Sequence, residues 1–181
     1  MQLQRISVVM PLDGPAASVG SVAPVSRRWS RERWSQRLSA KGARGDRAAD
    51  GSGVVLAGFD GDLVVEEGDQ GPVLRYTLKS AEDGEPAQHI VLALGRLLEA
   101  AGRLERSSGV RVDRSSVTVQ IADRLNAPNT DEVRQRLQAE VVSAVTSTLG
   151  FATPDIIGGS VDPRDPLSWT LRGLAAPSMA A

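Results

Sequence analysis

The chain has 181 residues, 41% apolar and 24% charged, a balance that supports one domain with a hydrophobic core. It holds no cysteine and a single histidine, His89, which excludes disulfides, thiolate nucleophiles, iron–sulfur clusters, cysteine zinc sites and two-histidine motifs. The formal charge of −1 hides an asymmetry: between Ser26 and Arg47 eight basic residues meet two acidic ones, whereas from Ala48 onward twelve basic residues meet nineteen acidic ones.

Residues 1–25 mix short apolar pieces with Gly, Pro and Ser and read as flexible, or at most as an isolated strand around Ile6 to Met10. Pro11 and Asp13 interrupt that run too early for a secretory signal. No stretch reaches the ~18–20 apolar residues of a membrane span, so a cytoplasmic protein without a membrane partner is expected. Residues 29–41 suggest a short basic helix in which Ser30 caps the start and Trp29 packs on Trp34 across the cap. Leu38 extends the stripe and Gly42 stops it. The stripe seats this helix on the core, or else the indoles, interleaved with arginine, form a stacking or partner surface. Residues 1–53 together are thus expected to be a flexible arm, ahead of one α+β domain at 54–174 and a frayed tail at 175–181.

Within that domain Val54 to Phe59 and Leu63 to Glu67 flank Asp60-Gly61, a strong hairpin signal, and Gly68 to Gly71 form a second turn. Leu74, Tyr76 and Leu78 then alternate with polar residues as a half-buried antiparallel strand does. Residues 86–106 carry a helical stripe of Ile90, Leu94, Leu97, Leu98, Ala101 and Leu104, with Pro86 at the first position and His89 on the polar, solvated side. Val110 to Val112 and Val117 to Ile121 suggest a hairpin turning at Asp113 to Ser115. Residues 129–149 form the last helix, with Asn129 and Glu132 as a capping box and Gly150 as the stop. Ile156-Ile157 and Trp169 to Leu171 are expected as short edge strands.

The expected architecture is α+β: an antiparallel sheet with two long amphipathic helices on one face, in the order helix, strands, helix, hairpin, helix. Little chemistry is legible. Neither a P-loop nor a dinucleotide fingerprint occurs. The carboxylates at Asp60/Asp62, Glu66/Glu67/Asp69 and Glu82/Asp83/Glu85 lie in turns, and Asp162 and Asp165 flank prolines in a rigid loop. No catalytic residue, metal ligand or cofactor is assigned. The element order between Ser30 and Leu149 resembles the pterin-4a-carbinolamine dehydratase fold. That family carries its chemistry on a His-His-Pro motif after the central helix, where this chain has Ser107-Ser108-Gly109-Val110. The resemblance therefore implies the fold without the activity.

The sequence leads to a non-enzymatic interaction or assembly module, self-associating, with the helix-free sheet face open to a protein partner or a second copy. Its candidate partner-binding residues are Arg27, Arg28, Trp29, Arg31, Arg33, Trp34 and Arg37. Nucleic-acid binding through residues 26–47, and a divergent dehydratase-like domain, are the alternatives.

Overall fold

In the computed structural model, which describes residues 5–14, 17–31, 44–47, 53–58, 60–79 and 84–174, the first strand is also the innermost. Strand β1 (Ile6–Asp13) pairs antiparallel with β5 (Gly71–Leu78) on one side and with β6 (Arg111–Val112) and β7 (Ser116–Ile121) on the other. The sheet runs outward through β4 (Gly61–Gly68), β3 (Gly53–Ala57) and β2 (Arg44–Arg47) at one edge, and through β9 (Leu167–Arg172) and β8 (Asp155–Gly158) at the other. The expectation of a flexible segment or an isolated strand at residues 1–25 is therefore corrected for Ile6–Asp13, because the alternation Ile6, Val8, Met10, Leu12 buries one whole side of β1.

The register explains that burial. Ile6 lies opposite Leu78 and Ile121, Val8 opposite Tyr76 and Val119, and Val119 in turn opposite Trp169, so one face carries a continuous apolar layer. Helices α1 (Val19–Arg31), α2 (Pro86–Ser108) and α3 (Asp131–Leu149) cover that layer. The fold class is α+β, with α2 and α3 on one face as the periodicity requires. Helix α2 starts at Pro86 and stops at Gly109, which adopts φ 72° and donates its N–H to the Glu105 carbonyl.

Four expectations change in detail. A helix at 19–31 precedes and overlaps the start of the one expected at 29–41, and Ser18 Oγ accepts the Ser21 N–H at its start. Its stripe is Val22, Val25 and Trp29, so Ser30 lies inside the helix and does not cap it. Residues 32–41, including the rest of the proposed staple, fall outside the described residues. The α3 cap is Thr130, whose Oγ1 accepts the Val133 N–H at 3.4 Å, while Asn129 is buried elsewhere. The segments at 110–112 and 117–121 are not a hairpin: both run antiparallel to β1, as one strand interrupted by a bulge. Met10 and Pro11 there face five residues, Asp113 to Val117. Pro11 offers no N–H on that side, and its carbonyl accepts the Asp113 N–H at 2.9 Å, so the interruption falls where the ladder already lacks a donor. Lastly, β9 lies inside the sheet, leaving β8 as the edge.

His89 is also indoors, at 6% exposure, against the expectation of a solvated ring. Helix α2 is flanked by α1 and α3 as well as lying on β1 and β5, so its buried arc is wider than one stripe. Gly84 sits against the imidazole, where a Cβ would come within 3.0 Å of Nε2.

Tyr76, the one tyrosine, has its hydroxyl pushed up to about 12 from 10.0, chiefly by burial; Arg96 opposes the shift, and Asp60 and Asp62 add to it. The neutral phenol is favoured by the fold, so its contribution is complete below pH 10 and is lost as pH rises toward 12. With one phenol, phenolate absorbance reads this group alone. The native midpoint is expected well above that of the unfolded chain, with stability falling by up to about 2 kcal/mol across the interval. Equal midpoints would contradict it.

Candidate interaction surface

The structure describes only part of the sequence-selected cluster. Arg27, Arg28, Trp29 and Arg31 belong to α1, whereas Arg33, Trp34 and Arg37 lie outside the described residues. Trp29 is a core residue at 4% exposure, packed with Val22 and Val25, so its indole is not offered to a partner. A nucleic-acid reading of residues 26–47 then loses one of its two stacking rings and leans on charge.

The sheet face away from the helices mixes Val9, Val55, Val64 and Val73 with polar side chains that bond to one another. Ser7 Oγ and Thr77 Oγ1 are 2.9 Å apart, as are Thr118 Oγ1 and Thr170 Oγ1. Arg75 donates to Gln120 Oε1 at 3.0 Å and pairs with Glu66 at 2.5 Å, and Lys79 pairs with Asp62 at 2.7 Å. These charges cancel, and the aromatic residues of the strands, Tyr76 and Trp169, are buried on the other side. Such a face lacks the stacking platform and positive field that nucleic-acid-binding sheets use.

An open groove of about 540 Å³ lies between α2, the β6–β7 bulge and the end of α3, lined by Leu98, Arg114, Ser115, Thr148, Leu149 and Leu174. Its guanidinium is already committed. Arg114 donates both terminal nitrogens to the Glu105 carboxylate at 2.7 and 2.8 Å, and Glu105 also accepts the Val112 N–H at 3.0 Å. The Arg114 hydrogen bonds hold the Glu105 carboxyl below its ordinary range, the opposite of what a general acid needs. The pair fixes the bulge. Among the described residues no group of His, Asp and Glu is arranged to hold a metal ion, and no helix is long and apolar enough to cross a membrane.

The third region is the β8 edge and the loop at 159–166. All four residues of β8 are exposed, with Ile156 at 40%, Ile157 at 49% and, just beyond, Val161 at 83%. The sequence suggests Ile156-Ile157 as an edge strand and Asp162 to Pro166 as a rigid turn; the structure shows which side chains bond to the loop. Arg134, at the start of α3, donates to the Ser168 carbonyl at 2.7 Å, to Asn129 Oδ1 at 2.7 Å and to the Ser160 carbonyl, and lies 5.6 Å from the centroid of the buried Trp169 ring. Asn129 Nδ2 donates to the carbonyls of Ser160 at 3.1 Å and Asp162 at 2.7 Å. Ser160 Oγ donates to Asp165 at 2.6 Å, and the Ser160 N–H donates to Ser168 Oγ at 3.0 Å. Sequence reasoning missed Asn129 and Arg134, because each acts across some thirty residues.

No protein-family model matches the chain, and no curated protein matches it.

Proposed function

We propose that this protein is a non-catalytic interaction module that engages a protein partner through the β8 edge and the adjoining loop. One observation carries the reading: Ile156, Ile157 and Val161 are each exposed on a strand and loop that buried Asn129 and the Arg134 fork hold in place. Exposed apolar side chains are ordinary when scattered, but here they follow one another along the strand that is the sheet's edge among the described residues. A loop fixed before binding loses little entropy on docking, which favours recognition over chance stickiness. Segment 155–166 carries Asp155, Asp162 and Asp165 against Arg164 alone, and this net negative charge disfavours a phosphate backbone there.

The test compares the full chain with a variant carrying Ile156→Lys, Ile157→Lys and Val161→Asp. Sedimentation reads self-association, and capture from host extract reads other partners. At least one association is expected in the parent chain and not in the variant, with thermal midpoints alike. If the parent associates with nothing, or the variant retains every association, the reading fails.

A further inference from the structure

We infer that the cleft around the end of β9 is a binding site for a small aliphatic zwitterion, a free α-amino acid of the leucine type. The groove of about 540 Å³ beside α2 and α3 has a neighbour, a second hollow of about 420 Å³ that takes in Ala152, Thr153, Asp155 and Arg172. Ser115, Gly173 and Leu174 line both. Each volume falls in the range of small-molecule sites, roughly 300–1,000 Å³.

The two hollows differ in the groups they leave free. In the first, Arg114 is engaged by Glu105, the Ser115 hydroxyl donates to Asp113 at 2.6 Å, and the Thr148 hydroxyl donates to the Ala144 carbonyl at 2.7 Å. What remains is aliphatic: Leu98 and Leu149, half-buried against the core, and the exposed Leu174. In the second, Asp155 and Arg172 are both exposed and stand opposite each other in the β8–β9 register. Paired positions hold their Cβ atoms roughly 5 Å apart on one face. Yet among the described residues neither side chain has a hydrogen bond or an ion pair, and nor does the Thr153 hydroxyl beside them.

These groups discriminate between ligand classes. An anionic amphiphile meets Arg172 but is repelled by Asp155, a cationic one suffers the reverse, and a neutral apolar molecule uses neither charge. Ammonium and carboxylate on a single carbon answer both within the short span between paired positions. The two ends of a peptide instead separate by roughly 3.3–3.6 Å for every residue added. The side chain of such an amino acid lies toward Leu98, Leu149 and Leu174, where aliphatic area is buried and the polar groups already have partners.

An NMR titration of the full chain with L-leucine tests this. Saturable shifts are expected around Ser115, Thr153 and Arg172, with a Kd of about 1 mM or tighter. Isocaproate lacks the ammonium, L-leucine methyl ester lacks the charged carboxylate, and glycine lacks the side chain; each should bind at least about tenfold more weakly. Arg172→Gln should weaken L-leucine about tenfold and leave the methyl ester no weaker. Asp155→Asn should do the same to L-leucine and leave isocaproate no weaker. Both side chains are exposed, so neither substitution should move the thermal midpoint. No saturable shift at about ten times the expected Kd overturns the site, as does affinity indifferent to both substitutions. Isocaproate or the ester binding as tightly as L-leucine overturns the zwitterion, and glycine doing so overturns the aliphatic half.

Discussion

A chain lacking residues 1–13 is expected not to fold. The deletion removes β1, which joins β5 to β7, so the sheet splits into a β2–β5 part and a β7–β9 part with no ladder between them. Ile6, Val8 and Met10 are fully buried and Leu12 nearly so. At roughly 1.5–3 kcal/mol for each buried aliphatic side chain, their loss alone is on the order of 6–12 kcal/mol. That is comparable to the whole stability of an ordinary domain, about 5–15 kcal/mol. Circular dichroism and a thermal melt decide it: a cooperative transition near the parent midpoint would show that β1 is dispensable. As a full-length check, Val8→Asp places an unpaired carboxylate between Tyr76 and Val119, and should cost more than about 3 kcal/mol.

These residues show why periodicity reached some elements and not others. The hairpin around Asp69-Gln70 and the stripes of α2 and α3 were legible because turn chemistry and spacing act within a few residues. Strand β1 carries as clean an alternation, but Pro11 and Gly14 punctuate it like a loop, and its two partners lie far along the chain. The bulge misled for a related reason: Asp113-Arg114-Ser115 is good turn sequence and does form a local turn, with Asp113 accepting both the N–H and Oγ of Ser115. Only the neighbouring β1 makes the chain continue onward instead of reversing. A single stripe puts His89 outside, whereas α2 is enclosed by two helices and three strands. At the candidate surface, Ile156-Ile157 could be read as an edge. Its anchoring could not, because Asn129 looks like a helix cap until Thr130 is seen to take that role.

The anchor gives the second large expectation. Arg134→Ala should cost about 2–4 kcal/mol and release the 155–166 segment before the rest of the domain unfolds. Three acceptors share the guanidinium: the carbonyls of Ser160 and Ser168, and Asn129 Oδ1. Asn129 continues to serve Ser160, so the loss falls most on Ser168 and on the Asn129 oxygen, each left short of a donor at about 1–3 kcal/mol. Trp169 loses the cation over its ring and gains no compensation, because its buried indole N–H has no hydrogen-bond partner among the described residues. Arg134→Lys should recover less than half, since an ammonium cannot reproduce a planar fork reaching three acceptors. Gly159→Ala should reach the same end by another route. Its φ of 153° suits glycine, and a Cβ there would strike the Ser168 carbonyl and press on Arg134. Hydrogen exchange is the deciding measurement: protection should fall across β8 and the loop in all three variants while α2 keeps its own. Uniform loss across the domain would show that Arg134 supports the core at large, and the β8 edge would then lose its claim to a platform built for binding.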